Sequence, residues 1–455
     1  MPATTARRTP SRIERFIGDR LTRRRLRFTA ATTIVVGSLL LLISFATTVE
    51  NRTRRGLGLG SDYLAFYNAG TILNDYGPQR LYDLELQSRV YHRNLPGEPP
   101  EAMLPYANAP FFALIMRPLA ALEYPVSYAL WVVISTAMFV AALSLVWRCS
   151  NLPQRYWTLA LMCGLSFEPF AIECLHGGQI SPFGLMVISG AIYLSVTRRA
   201  FEAGLVLSVA TYKPTLLPII LPMLAIMRQW RTLAGFACGA TILAGLSIAT
   251  VGPAACAEYL HLLAGYANKT GGAGLHGIRI WKFVDLNSFL KLLHVPSIVI
   301  WSVLLSVAGL LVNEVLRLRP RTNRDAQRNL PLAWATALTW TLVLNLYVGV
   351  YDSILVIPAI VLTAAALIRR ASDAGRNLPL RFRCLLAALW VLPWITGFVA
   401  RDAGLQPYTV ALLALAVYQL NLLQTRTIRR GLSVSTTDGQ RSSDVPLSLA
   451  GERAG

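Results

Sequence analysis

The chain has 455 residues, of which 54% are hydrophobic and 15% charged, against about 25% charged in an ordinary soluble domain. A composition this apolar excludes a soluble globule. The formal charge is +20, from 43 Lys and Arg against 23 Asp and Glu, and where that excess falls decides between nucleic-acid binding and membrane orientation.

Residues 1–28 carry nine arginines. Among them Ile13, Phe16, Ile17, Leu21 and Phe28 recur near helical spacing, which predicts an amphipathic helix on an anionic leaflet within a basic cytoplasmic tail. Apolar runs long enough to cross a hydrocarbon core, or nearly so, then predict about twelve membrane helices near 29–49, 125–147, 157–172, 183–196, 203–212, 214–227, 232–251, 297–316, 330–349, 353–368, 384–400 and 407–423. The expected fold is therefore all-α and polytopic, with one membrane domain over 29–423 and a disordered polar tail over 424–455.

With the tail inside, the basic clusters Arg148 and Arg155, Arg198 and Arg199, Arg228 and Arg231, Arg317 to Arg328, Arg369 to Arg383, and Arg426 to Arg430 all fall in cytoplasmic turns. The excess charge orients helices against anionic lipid. Nucleic acid is not an expected partner, and both termini are expected in the cytoplasm. The two sizeable outer loops are 50–124 and 252–296. Within the first, the apolar run 106–122 ends at Met116-Arg117-Pro118 and is read as a helix along the outer leaflet. The run 203–227 is broken at Lys213-Pro214, because proline removes a helix donor and restricts its predecessor, so two short helices form a hairpin. The six cysteines are scattered without a C-x-x-C pair, which points to neither a disulfide framework nor a zinc site.

The unusual polar groups collect on the outer side, and polar groups within or beside membrane helices are functional candidates. Asp62, in Ser61-Asp62-Tyr63-Leu64-Ala65-Phe66-Tyr67, is either the N-cap of a helix or a catalytic base. Tyr63 and Tyr67 lie on one face of that helix. His176-Gly177-Gly178-Gln179 forms a short turn, in which His176 and Gln179 are either surface residues or substrate contacts. Lys213 lies about 12 residues of ~1.5 Å rise above the inner edge, past the middle of a ~30 Å core, and needs an anion there. It either meets a phosphate together with the following helix N-terminus or pairs with Glu168 or Glu173. The second loop offers His276, Arg279 and Lys282 among glycines and aromatics. Tyr351-Asp352 stands at a tight turn, where the Asp is a cap or a site residue. Neither a P-loop, nor H-E-x-x-H, nor G-x-S-x-G is present, so a donor already dissolved in the membrane fits better than a soluble nucleotide sugar.

The string Asp62-Tyr63, Tyr67, Ala69-Gly70, Gly77, Leu81-Tyr82-Asp83 resembles the first-loop signature of glycosyltransferase family 87, membrane enzymes of the GT-C fold. In order follow Ala109-Pro110-Phe111-Phe112-Ala113, Pro118-Leu119-Ala120, Gly178-Gln179, Gly204 with Lys213-Pro214, and Tyr351-Asp352 with Leu355 and Pro358. Some relatives carry a histidine where this chain has Tyr351-Asp352.

The resemblance implies a GT-C architecture in a bacterial inner membrane with the active site on its periplasmic side. It implies that Asp62 is the base of an inverting transfer of a hexose, mannose in the mannosyl users, from a polyprenyl-phosphate donor to a hydroxyl on a glycan or glycolipid acceptor. Lys213, with Arg279 or His276, would meet the donor phosphate; Tyr63, Tyr67, His176, Gln179, Tyr351 and Asp352 would line the substrates. No cofactor is expected beyond the lipid-phosphate sugar as co-substrate, and the need for a divalent metal stays open. The rival readings are a flippase or transporter of lipid-linked sugars, and a polymer-assembly scaffold without activity.

Overall fold

The computed structural model of the chain describes residues 22–53, 58–96, 103–268, 279–320, 322–370 and 378–441. The expected amphipathic helix at Ile13 to Leu21 lies outside them, as does His276. Among the described residues the secondary structure is helical, with isolated β-bridges only. The protein is an all-α polytopic membrane protein.

The helices, in chain order, are α1 (Arg23–Ala46), α2 (Tyr63–Asp75), α3 (Leu84–Asn94), α4 (Pro110–Ala120), α5 (Tyr124–Ser150), α6 (Trp157–Leu165), α7 (Ser181–Val196), α8 (Ala200–Ser208), α9 (Ile220–Ile226), α10 (Trp230–Asn268), α11 (Leu286–Leu292), α12 (Ser297–Arg317), α13 (Asn323–Val343), α14 (Val356–Arg370), α15 (Leu380–Ala403) and α16 (Pro407–Arg441). Each predicted membrane segment overlaps helix, although the one expected over 330–349 is helical only to Val343. Among the described residues, six helical stretches are long and apolar enough to cross a membrane, and shorter apolar helices such as α7 and α8 lie between them. Burial separates inner from outer members. Only 6% of the apolar window of α1 is buried against 78% of that spanning 350–370, so α1 shows its Val35, Leu39 and Leu42 outward while α14 is surrounded by protein. From Leu330 onward, α13 is buried nearly all round, which makes it a central helix.

The chain breaks where the sequence says it must. After α8 a short 3-10 turn ends at Tyr212, Lys213 leaves the helical region (φ −135°, ψ 84°), and Pro214 starts a second 3-10 turn that leads to α9. Backbone packing holds the inner leg of this hairpin. A Cβ on Gly204 would collide with the carbonyl oxygen of Thr232 and the amide of Phe236 on α10, so α8 and α10 touch main chain to main chain, which is how apolar helices associate without a hydrophobic driving force in lipid. Gly204→Ala is expected to cost about 2 kcal/mol or more through overpacking. Gly245→Ala, where nothing lies within 4 Å, is expected to be neutral or slightly stabilising; thermal unfolding of both variants in the same detergent makes the comparison.

Among the boundaries that differ from expectation, three have a plain physical reason. The second loop was expected to begin at 252, but α10 only turns there, at Gly252 (φ 85°), and continues as helix to Asn268. Pro253 suits the first position of a helix and the sequence after it is rich in alanine and leucine, so helix resumes at once. The last helix, expected to end at 423, runs on to Arg441 into the segment expected to be disordered. Extension of an anchored helix needs no new nucleus, and no proline interrupts it. Finally, α1 begins at Arg23 instead of 29, with Thr22 accepting from the Arg25 amide as its N-cap.

The first loop is folded. α2 packs along α4, Phe66 meets Phe112 edge-on at 6.2 Å, and Tyr82 reaches Tyr259 of α10 at 5.5 Å between ring centres. The loop also caps the hairpin tip. The amide of Ala109 and Nδ2 of Asn108 both donate to the Tyr212 carbonyl, at 3.3 and 3.2 Å, and Phe112 packs on the Tyr212 ring at 5.1 Å.

Candidate active site

Asp62 stands at the N-cap position of α2 but does not cap it: no α2 amide bonds its side chain. Its Oδ2 instead accepts from Nε2 of Gln179 at 2.7 Å, and its own amide donates to the Gly177 carbonyl at 2.9 Å. Among the described residues, Oδ1 has no donor. Of the two readings left open by the sequence, the cap is not the one the geometry realises.

A packed aromatic floor fixes Asp62 from behind. Tyr63 is fully buried, donates to or accepts from Ser127 Oγ at 2.7 Å, and lies 5.7 Å from Trp131 and 5.5 Å from Tyr128 between ring centres. Such ring pairs contribute about 0.5–1.5 kcal/mol each beyond burial. Tyr67 donates to the Leu122 carbonyl at 2.8 Å and meets Tyr124 edge-on. Expected as substrate contacts, these two tyrosines are placed as the packed support of α2.

The turn between the π-helical end of residues 169–174 and α7 carries the rest. Gly178 has φ +79°, and a Cβ there would run into Tyr63; only glycine lets the turn pass so close to α2. Tyr128 donates to the His176 carbonyl at 3.0 Å. The His176 ring faces away from the site: its Nε2 lies 3.0 Å from the Gly37 carbonyl of α1. Gln179 points to Asp62. Two residues on, Ser181 Oγ donates to Oδ1 of Asp352 at 2.9 Å.

Asp352 is 3% exposed, and its Oδ2 takes Nζ of Lys213 at 2.5 Å. Lys213 therefore pairs with Asp352, not with Glu168 or Glu173, and its ammonium also lies 4.8 Å above the Tyr351 ring. Glu168 is buried with Oε2 unbonded, apart from this pair. Asp352 caps nothing; it sits within a 3-10 turn, Val350–Leu355. The hairpin is held at both sides of Lys213, since Asn345 Nδ2 donates to the Thr215 carbonyl at 2.6 Å while the first loop holds Tyr212. One turn thus links both charged groups. Gln179 binds Asp62 and Ser181 binds Asp352, with at most ~7 Å of chain between their α-carbons.

The second loop returns to the site as a folded foot. Arg279 is exposed at its start, and Lys282 ends a 3-10 turn. Phe283 forms a β-bridge with Gly349, and the Val284 amide donates to the Val348 carbonyl at 2.9 Å. Asp285 is fully buried and accepts from the amides of Ser288 and Val348; burial lifts its carboxyl to a pKa of about 6 despite those donors. Ser181 and Asp285 were not singled out by sequence reading. Ser181 lay in the same turn as Gln179 with the right alternation to face a second partner, which is the only signal it carried.

Asp62 is densely surrounded while keeping an opening to solvent. Burial raises its pKa above the ordinary Asp value, opposed by the Gln179 bond and the charge of Lys282. A carboxylate of this kind holds and releases a proton more readily near neutrality than an exposed one. Gln179→Leu removes the donor that favours the ionised form. Any rate that needs ionised Asp62 is then expected to rise at higher pH than in the unmodified protein, costing about tenfold in kcat/KM on the acid side of the profile. An unshifted acid limb would show that the bond does not act on Asp62.

The family model for glycosyltransferase family 87 matches residues 106–345, just over half of the chain. The matched stretch holds Gln179, Ser181, Lys213 and Lys282, and stops short of Asp62 and Asp352. No match was found among curated proteins or among solved structures.

Proposed function

We propose a reaction from one premise, that this chain belongs to glycosyltransferase family 87 and is a glycosyltransferase. In the proposed reaction a hexose, with mannose the first choice, passes from a polyprenyl-phosphate carrier to a hydroxyl of a glycan or glycolipid, with inversion, at the outer face of a bacterial inner membrane in a GT-C architecture. The observation that carries this reading is the Asp62 carboxylate, held on one oxygen by Gln179 and, among the described residues, undonated on the other, at the start of a helix it does not cap.

Asp62 takes the proton of the acceptor hydroxyl as that oxygen attacks the anomeric carbon. The bond from that carbon to the phosphate oxygen breaks, and its electron pair leaves on the phosphate. No acid is needed for such a leaving group, because cations and fixed dipoles stabilise it. Lys213 and Arg279 supply positive charge on that side, the former shared with Asp352. Tyr351 beside Lys213 offers an aromatic face to a sugar ring.

Donor class is the test. Purified protein in nanodiscs is offered either nucleotide sugars or polyprenyl-phosphate sugars, each with a glycan acceptor. Consumption of the lipid-linked donor alone is expected, and turnover of the nucleotide sugar would overturn the proposal.

A further inference from the structure

We infer that Lys282 is the residue that engages the anionic phosphate of the lipid-linked donor; this rests on the transferase reading above. The foot of the second loop is built around it. Gln406 is fully buried and its Nε2 donates to the carbonyls on both sides of Lys282, Trp281 at 3.2 Å and Phe283 at 3.1 Å. The other end of that amide, Oε1, accepts from Thr396 Oγ1, so the clamp itself is held. Thr409 donates to the next carbonyl, Val284, at 2.7 Å, and the Lys282 amide donates to Arg279 at 2.9 Å. The backbone is pinned at every step from 281 to 284, while the Lys282 side chain is exposed.

A flexible lysine on a fixed backbone has a defined reach at small ordering cost. The Phe283–Gly349 bridge sets that reach beside the turn that carries Asp352. The positive charge of Lys282 acts on both Asp62 and Glu173, yet among the described residues no carboxylate oxygen lies within 4.0 Å of its Nζ, which rests 5.6 Å from the Trp281 ring centre. Lys213, by contrast, already has its counter-ion in Asp352. An exposed ammonium on a foot bridged to the segment that leads into Tyr351 and Asp352 matches a phosphate that must be held beside a base. The carboxylates would repel that phosphate without it.

The experiment measures initial rates against polyprenyl-phosphate sugar, in nanodiscs, for the full chain and its variants. Lys282→Met is expected to raise the donor KM about 10- to 100-fold, as for loss of one charge-assisted phosphate contact, leaving the acceptor KM within twofold. Inhibition by polyprenyl phosphate should weaken in parallel, and Lys282→Arg should restore most of both. Gln406→Leu should raise the donor KM by less, and adding Lys282→Met to it should give no more than Lys282→Met alone, because the clamp acts through the lysine. A folded, active Lys282→Met protein with unchanged donor KM and unchanged inhibition overturns the inference and leaves the transferase reading standing. If the unmodified protein turns over no lipid-linked sugar, the transferase reading falls and this inference with it.

Discussion

Asp62→Asn is expected to abolish sugar transfer, lowering kcat/KM by about 10²–10⁴ as for loss of a general base, while the melting temperature stays within a degree or two. The two halves of that expectation have separate causes. Asparagine keeps the shape and retains an oxygen that accepts from Gln179 Nε2, and no helix cap is lost because Asp62 caps no α2 amide. The packed floor of Tyr63 and Tyr67 beneath it is untouched. An amide cannot take a proton from a hydroxyl at neutral pH, so only the chemistry goes. Raised pKa adds a pH signature. Asp62 works ionised, so the rate climbs with pH as it deprotonates, and burial sets that climb above the range of an exposed aspartate. An active Asp62→Asn protein with an unchanged profile would remove Asp62 from the mechanism.

The second large effect is expected at Asp352. Asp352→Ala strips the buried counter-ion from Lys213 and leaves Ser181 without its acceptor. Breaking such a pair from one side costs about 3 kcal/mol, which corresponds to a fall in melting temperature on the order of 3–5 °C for a chain of this size. Lys213→Met with Asp352→Leu removes both charges and is expected to recover much of that loss, since the penalty comes from the stranded ion. It is not expected to recover activity, because the hairpin tip would no longer carry charge toward the donor. Thermal unfolding of the single and double variants, read with transfer rates, separates the two roles. If Asp352→Ala melts like the unmodified protein, the pair does not hold the hairpin.

Much of this architecture is legible in the chain. Apolar runs locate the helices, Lys213-Pro214 breaks one of them where the structure breaks it, and glycine at 178 marks a turn that only glycine can make beside α2. These signals are local, written in hydropathy and in backbone chemistry. Partners across the fold are not. Lys213 and Asp352 lie 139 positions apart, and nothing near either favours the other over Glu168 or Glu173. Tyr63 and Tyr67 look like ligands in a loop because the loop's own fold is invisible to periodicity; once α4 and α5 pack on α2, both rings are support. Gln406 stands just before a helix-starting proline, where a cap or a solvated turn is the ordinary expectation. Its clamp on the 281–283 carbonyls exists only because α15 and α16 meet that foot.

The chain's +20 charge is a separate matter from its chemistry. The candidate site turns instead on the relation of Asp62, held through one oxygen by Gln179, to a few placed cations. In the proposed reaction the protein moves a sugar from a lipid phosphate to an acceptor with inversion. The direct measurement is acceptor-dependent release of polyprenyl phosphate by the purified protein in nanodiscs, with the anomeric configuration of the product read by NMR. Release is expected only when acceptor is present, with a glycosidic bond of configuration opposite to that of the donor. Lipid-linked sugar redistributed between leaflets without release, or a product that retains the donor's configuration, would contradict the proposed reaction.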